Sequence, residues 1–260
     1  MRRHVGLLVV LVLLLAAGCV EGASKPRAAD AGQDPEPSGQ VTVLAAASLT
    51  EAFTELGRTF EADHPGVKVT FSFGASSALA RQALDGAPAD LLATADEANL
   101  AKVLAGGVAS DPRVFGRNRL SILVGKGNPK GIATLADLAE PDVVVVLCAP
   151  EVPCGKFGTE VLHKAGVAVT PRSLEENVKA VGSKVILGEA DAGLVYVTDA
   201  RAVGGKAEGV SIPDEHNVTV ASPIGVLKQA ANPEAAVAFR NFVLSPAGQT
   251  TLANYGFLPA

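Results

Sequence analysis

The sequence predicts an α/β protein with mostly parallel sheets, because segments with the two-residue period of strands alternate with segments of helical period. Residues 67–73 alternate apolar and polar side chains as a half-buried strand does. Residues 143–147 are almost all β-branched, which is typical of a strand that is buried on both faces. Before residues 67–73, apolar residues recur on one face of a helix: Leu49, Phe53, Leu56 and Phe60.

The ordered domain is expected to begin at Val41 and to continue to the C-terminus. Strands are expected at residues 41–46, 67–73, 90–94, 120–124, 143–147, 193–197 and 224–227. Helices are expected after the first two strands and, near the end, at about 235–244 and 246–254. In open α/β sheets, ligands bind at the carboxyl ends of strands, beside helix N-termini. The loops that follow strands are therefore the places where a site is expected.

The N-terminus predicts export. A short basic region is followed by an apolar run, residues 5–17, which has the length of a signal-peptide core and is too short to span a bilayer. The run ends in Leu-Ala-Ala-Gly-Cys, which resembles a bacterial lipobox, although Ala16 stands where leucine is commoner. We predict a signal peptide at 1–18, lipidation of Cys19 and a flexible tether at 19–40, rich in Ala, Gly, Pro and acidic residues. The alternative is a plain secretory signal with an incidental cysteine.

The overall composition restricts the class of ligand. The formal net charge is −5, and nucleic-acid binders usually carry a basic face, so no nucleic-acid partner is expected. Tryptophan is absent and aromatic residues make up 4% of the chain, which argues against recognition by stacking on a base or a sugar. An anion could be captured only by local hydrogen-bond donors, because the protein has no global positive field.

Three loops between a predicted strand and a predicted helix share a chemical theme. Ser48 begins one helix, Ser76 and Ser77 begin the next, and residues 150–156 lead into a third. A helix start exposes unpaired N–H groups and the positive end of the helix dipole, so it binds anions readily. The alternative is that these serines are only helix caps, since Ser48 with Glu51 three residues later is a capping-box pattern. Spacing alone does not establish that the loops converge.

Beyond these patterns, the chain resembles the molybdate-binding proteins of ABC transporters, which have the type II periplasmic-binding-protein fold. The resemblance covers the chain from Val41 to the C-terminus, in the family's order. The matching stretches are residues 45–50 (AAASLT), 72–82 (SFGASSALARQ), 86–91 (GAPADL), 152–155 (VPCG), 177–179 (NVK), 188–200 (GEADAGLVYVTDA) and 255–257 (YGF).

The resemblance implies a ligand site made of hydrogen-bond donors. The implied contacts are the hydroxyl and N–H groups of Ser48 and Ser76, the N–H groups of Cys154 and Val178, and the Tyr196 hydroxyl. None of these residues is acidic, which suits molybdate and tungstate, since both are fully deprotonated dianions near neutral pH. Phosphate keeps a proton there and gains from a carboxylate acceptor. Lys156 and Lys179 are interpreted as solvated surface lysines, and a lone tyrosine could also be a core residue with its hydroxyl at the surface.

The resemblance also implies an architecture and partners. We expect two α/β lobes, residues 41–122 with 221–260 and residues 123–220, joined by two crossover segments with the ligand in the cleft. A ligand that contacts both lobes favours a closed form. The implied protein is an extracytoplasmic, membrane-anchored monomer that delivers its ligand to the permease and ATPase of an ABC importer. Neither a cofactor nor a metal beyond the molybdate oxyanion is expected.

The sequence departs from the family's pattern at position 154, where cysteine replaces the commoner alanine. A contact through the backbone N–H tolerates this change. Cys148 lies at the end of the preceding strand, and the compartment is expected to be oxidising. We therefore predict a Cys148–Cys154 disulfide, which the chain-entropy model credits with about 2 kcal/mol and which pre-organises the loop that supplies the Cys154 N–H.

Several alternative functions are open from the sequence. The same fold could bind sulfate or phosphate, and pocket size would decide between sulfate and molybdate. Metal capture is disfavoured, because the four histidines, at positions 4, 64, 163 and 216, have no ligand spacing. An enzyme that uses Cys154 and His163 is disfavoured, because on one helix they would lie about two and a half turns apart. A purely structural lipoprotein or adhesin predicts no stabilisation by any ligand.

Overall fold

The computed structural model describes residues 36–260 of the chain. The predicted signal peptide, Cys19 and most of the predicted tether lie outside the described residues. The first strand begins at Gly39, two residues before the predicted start of the domain. Within the described range, no helix combines the length and the apolar character needed to cross a bilayer.

Strands and helices alternate along residues 36–260, as predicted. The strands are β1 (Gly39–Ala46), β2 (Val67–Gly74), β3 (Leu91–Ala93), β4 (Ala109–Gly125), β5 (Val145–Cys148), β6 (Ser173–Glu175), β7 (Ala192–Tyr196), β8 (Ala207–Ser211) and β9 (Thr219–Leu227). The α-helices are α1 (Thr50–Asp63), α2 (Ser76–Leu84), α3 (Glu97–Ala105), α4 (Pro153–Lys164), α5 (Val178–Ile186), α6 (Val197–Ala202), α7 (Pro233–Leu244) and α8 (Pro246–Asn254). Short 3₁₀ helices occupy Ala47–Leu49 and Ala136–Ala139.

The strands form two sheets that share β4. The first sheet has the order β2-β1-β3-β9-β4, and the second contains β4, β7, β5 and β6, with β8 on the other side of β4. The long strand β4 pairs with β9 as far as Arg119 and with β7 and β8 from Leu120 onward. It thus passes from one sheet to the other close to the predicted lobe boundary.

The expectation of mostly parallel sheets is wrong. β1 pairs in parallel with β2 and β3, and β5 pairs in parallel with β6 and β7. Every pairing made by β4 or β9 is antiparallel. The sequence showed only the apolar ends of these two strands, because the first part of β4 is largely exposed and carries no regular alternation of apolar residues.

The apolar face predicted for the first helix is buried. Leu49, Phe53, Leu56 and Phe60 are all at most 1% exposed. The Phe53 ring lies 5.3 Å from that of Phe115 and makes edge-on contacts with Phe71 and Phe239. Helix α1 is therefore fixed to β2, β4 and α7, which holds its N-terminus at the end of β1.

One glycine allows α5 to lie close to the second sheet. A Cβ atom on Gly193, in β7, would come within 2.5 Å of the Val181 side chain and 2.8 Å of the Val146 carbonyl oxygen. Both distances are well inside van der Waals contact, so any larger residue would push α5 away from β7. Gly193 thereby sets the spacing between the start of α5 and Tyr196, the last residue of β7.

Candidate ligand-binding site

A small cavity lies where strands of both sheets end and helices begin. The centre of a water-sized sphere can occupy a volume of about 20 Å³ inside this cavity. Its walls are small, apolar or uncharged residues: Ala46, Ala47, Ser48, Gly74, Ala75, Ser76, Ala95, Val152, Pro153, Cys154, Asn177, Val178 and Tyr196. A single water needs about 10–15 Å³ on this measure, so the cavity has room for a compact ligand and not for a sugar or a peptide.

All five residues that the resemblance implied as ligand contacts line this one cavity. They come from five different strand ends: Ser48 after β1, Ser76 after β2, Cys154 after β5, Val178 after β6, and Tyr196 at the end of β7. The first two follow strands of the first sheet and the other three follow strands of the second. The structure therefore brings together donors that are up to 148 residues apart in the sequence.

Helix starts supply backbone donors to the cavity. Ser76 and Val178 are the first residues of α2 and α5, and Cys154 is the second residue of α4, after Pro153. The N–H groups of the first turn of a helix have no intrahelical partner, and proline at the first position has no N–H to satisfy. Asn177 caps α5 through its side-chain oxygen, which accepts the Ala180 N–H at 3.1 Å and leaves the Val178 N–H available.

Neither Ser48 nor Ser76 acts as a helix cap, so the capping alternative is wrong. No side-chain cap is present at the start of α1 or α2. The Ser76 Oγ accepts a hydrogen bond from the Ala95 N–H at 2.9 Å. A hydroxyl has one hydrogen to donate, and this contact occupies only an acceptor position. The Ser76 hydrogen therefore remains available for a ligand.

Tyr196 holds a buried donor without a partner. The residue is 2% exposed, and within residues 36–260 its hydroxyl has no hydrogen bond. The alternative of a core tyrosine with its hydroxyl at the surface is therefore wrong. Burial raises the pKa of the hydroxyl well above its ordinary value, and the nearby Asp199 and Asp96 raise it further. The group stays protonated, and leaving it unpaired costs about 1–3 kcal/mol unless a ligand accepts its hydrogen.

Cys148 and Cys154 form a disulfide, with their Cα atoms 5.7 Å apart. The bridge closes the loop between β5 and α4, which carries the Cys154 N–H. Gly155 makes the tight loop possible, because a Cβ atom there would lie 1.9 Å from the Ala149 carbonyl oxygen. The Cys154 sulfur is thus bonded and is not a free thiolate, which removes the basis of the enzyme alternative with His163.

The interpretation of Lys179 as a solvated surface lysine is wrong. Its Nζ lies 2.7 Å from Glu51 Oε2 and 3.0 Å from Asp199 Oδ1, and its side chain is about one-third exposed. Lys156 is exposed, and its ammonium lies 5.3 Å from the centre of the Phe157 ring. From the sequence, Glu51 was considered only as part of a helix cap and Asp199 was given no role, because no local pattern pairs either carboxylate with Lys179.

The side chains that commonly bind metal ions do not cluster in residues 36–260. No group of three or more histidine, cysteine, aspartate or glutamate residues in that range is arranged to hold a metal ion. The cavity itself contains neither a carboxylate nor an imidazole.

Comparison with known sequences places the chain in a family of extracellular binding proteins. The family model described as bacterial extracellular solute-binding protein matches residues 41–258. The molybdate-binding protein ModA of Mycobacterium tuberculosis (strain ATCC 25618 / H37Rv) is 42% identical over 258 residues, which are 98% of each chain.

Solved structures share the fold. The periplasmic molybdate-binding protein of Azotobacter vinelandii superposes with a TM-score of 0.75 at 20% identity, covering 85% of this chain and 99% of that one. The sulfate-binding protein SubI of Mycobacterium tuberculosis H37Rv superposes with a TM-score of 0.77 at 23% identity, covering 85% and 87%. The predicted fold, that of the periplasmic solute-binding proteins, is confirmed. Because both identities are below 25%, the two structures support the fold and do not identify the ligand.

The disulfide is expected to stabilise the fold and to be complete in the exported protein. In a Cys19→Ser variant that is denatured without reductant, a thiol titration should find no free thiol, and two free thiols would contradict the bridge. Reductant should lower the free energy of unfolding of this variant by about 2 kcal/mol, measured by urea denaturation. A Cys148→Ser/Cys154→Ser version of the same variant is the control, and its stability should not respond to reductant.

Proposed function

This chain belongs to the family of bacterial extracellular solute-binding proteins, and we propose that it captures molybdate, with tungstate as an equivalent ligand, and delivers it to an ABC importer. It is not an enzyme and uses no cofactor in this proposal. The ligand assignment is supported by the 42% identity to a molybdate-binding protein over almost the whole chain.

The observation that carries the proposal is the chemistry of the cavity. Five donor-bearing residues from five strand ends line it, and no residue of its wall is charged. A site that offers donors and no carboxylate acceptor suits an anion that carries no proton. Molybdate and tungstate meet this condition near neutral pH, whereas phosphate does not.

The energetics are sufficient without a counter-charge in the wall. Hydrogen bonds to a charged group contribute about 1.5–3 kcal/mol each, and several of them can offset the removal of the anion from water. The helix dipoles of α2, α4 and α5 add positive potential at the same place. The buried Tyr196 hydroxyl has no hydrogen-bond partner within residues 36–260, so a hydrogen bond from it to the anion favours the bound state.

Sulfate is the competing ligand. It has the charge and the shape of molybdate and needs the same donors, and a sulfate-binding protein shares the fold. It is smaller, so the spacing of the five donors across the cavity decides between the two. We place molybdate first because of the relative that matches 98% of the chain.

Delivery requires that the protein stay at the membrane that holds the importer. We propose that Cys19 is lipidated, that residues 1–18 are removed as a signal peptide, and that residues 19–40 tether the domain. The two lobes, residues 41–122 with 221–260 and residues 123–220, close around the anion, and the permease and ATPase complex recognises the closed monomer. Ser48 and Ser76 belong to the first lobe, and Cys154, Val178 and Tyr196 belong to the second.

A panel of oxyanions should identify the ligand. Molybdate and tungstate at about a thousand times their dissociation constants should each stabilise the fold by about 4 kcal/mol, measured by thermal unfolding. Phosphate should have no comparable effect. Stabilisation by sulfate with none by molybdate would reassign the ligand, and no stabilisation by any of the four anions would contradict oxyanion binding.

Tyr196→Phe should weaken molybdate binding without lowering the stability of the ligand-free protein. The change removes one donor to the anion, so calorimetry should show molybdate affinity falling roughly ten- to hundredfold. Because the hydroxyl has no partner within residues 36–260, the ligand-free variant should be at least as stable as the wild type. Tyr255→Phe is the matched control, since the Tyr255 hydroxyl bonds Glu55 on the surface at 2.6 Å and should not affect affinity. Unchanged affinity in Tyr196→Phe would place the ligand elsewhere.

The lipid anchor should depend on Cys19 alone. In a bacterial host, Cys19→Ala should move the protein from the membrane fraction to the soluble extracytoplasmic fraction, because the variant has no thiol for the diacylglyceryl group. Its affinity for molybdate should equal that of the wild type. An unchanged membrane fraction would remove the anchor from the proposal and leave ligand capture intact.

A further inference from the structure

Three charged residues form a cluster beside the ligand cavity, which we call the cleft cluster: Glu51, Lys179 and Asp199. Lys179 Nζ lies 2.7 and 2.9 Å from the two oxygens of Glu51 and 3.0 Å from Asp199 Oδ1. The same three residues line a second cavity. Val178 lines both cavities, so the cluster lies next to the wall that separates them.

Each member of the cleft cluster is close in sequence to a ligand donor. Glu51 follows Ser48 by three residues, and Lys179 follows Val178 directly. Asp199 follows Tyr196 by three residues, and its Oδ2 accepts the Tyr196 N–H at 3.3 Å. An ion pair within the cluster therefore fixes the backbone of donor-bearing segments relative to one another.

The cleft cluster joins the two sheets. Glu51 is in α1, after β1 of the first sheet, whereas Lys179 and Asp199 are in α5 and α6, after β6 and β7 of the second. By contrast, Lys184–Glu175, at 2.7 Å, connects α5 to β6, both of which belong to the second sheet. Lys179–Glu51 has the same length and connects residues 128 positions apart.

Lys179 is a charged ammonium group within the cluster. Burial lowers its pKa, but Asp199 and Glu51 raise it by more, so the net shift is upward and the ammonium stays charged. Burial raises the pKa of Asp199, Lys179 opposes that shift, and Glu51 adds to it. Asp199 is almost fully buried, so it holds Lys179 in place on the second-sheet side.

We propose that Lys179 is a latch that stabilises the closed conformation, held on its own side by Asp199 and closing across the cleft onto Glu51. This inference rests on the proposed function, because it assigns the ion pair to the closure around the bound anion. Lys179 is a positioning residue, since it acts on the donors through the backbone of Ser48, Val178 and Tyr196. Closure then increases affinity mainly by slowing dissociation of the anion.

If Glu51 acted only as a negative charge, its loss would change anion affinity in the opposite direction from the loss of a latch. Glu51 is a negative charge close to the site of a dianion, so its neutralisation alone should strengthen anion binding. A latch predicts weaker binding, because the closed form loses its ion pair across the cleft. The sign of the change in affinity therefore distinguishes a latch from a passive surface charge.

The test uses Glu51→Gln, with Glu175→Gln as the matched control. Both substitutions exchange a carboxylate for an amide of the same shape, and both remove the partner of a lysine that lies 2.7 Å away. Molybdate affinity is measured by calorimetry, its dissociation rate by stopped-flow displacement, and the radius of gyration of the ligand-free protein by small-angle X-ray scattering.

Glu51→Gln should weaken affinity roughly five- to fiftyfold, mostly through faster dissociation, and should increase the ligand-free radius of gyration. Glu175→Gln should match the wild type in molybdate affinity and in ligand-free radius of gyration. Equal or tighter binding by Glu51→Gln, or an equal loss in Glu175→Gln, would overturn the latch. If the wild type does not bind molybdate, the proposed function fails, and an unchanged ligand-free radius of gyration in Glu51→Gln would separately overturn the latch. Melting of the ligand-free variants checks that both are folded.

Discussion

The first turn of a helix leaves backbone N–H groups without partners, and the arrangement of the site depends on this constraint. Parallel strands that end at one edge of a sheet deliver the helix starts that follow them to the same place. Here two sheets face one cavity with such edges, so donors from Ser48, Ser76, Cys154 and Val178 meet although they are far apart in the chain. The Tyr196 hydroxyl adds a fifth donor, which burial keeps protonated.

Charge is kept out of the cavity wall and concentrated just behind it. The wall consists of small apolar residues and neutral donors, while Lys179 and its two carboxylate partners lie beyond Val178. Under the proposed function, this separation lets neutral groups select an anion by its protonation state and geometry, because no cation in the wall itself attracts every anion alike. Ion pairing can then serve to position the donors and does not need to neutralise the ligand.

Local patterns predicted the strand–loop–helix order apart from the short strands β6 and β8, and the family resemblance indicated five of the thirteen residues that line the cavity. The sequence did not predict the length or direction of β4, because residues 110–113 are exposed and carry no apolar alternation. The capping box proposed for Ser48 and Glu51 is absent, since Glu51 bonds Lys179 instead. That contact joins residues 128 positions apart, and no local pattern records which distant side chains folding will bring together.

The disulfide has a consequence for the timing of site formation. Cys148 and Cys154 can be joined only where thiols are oxidised, and the loop between them carries one of the donors. A newly made copy still inside the cell would keep this loop unlinked and more mobile, with a correspondingly poorer site. Under the proposed function, maturation of the site would thus coincide with passage through the membrane, and oxyanion inside the cell would not be bound by the unexported protein.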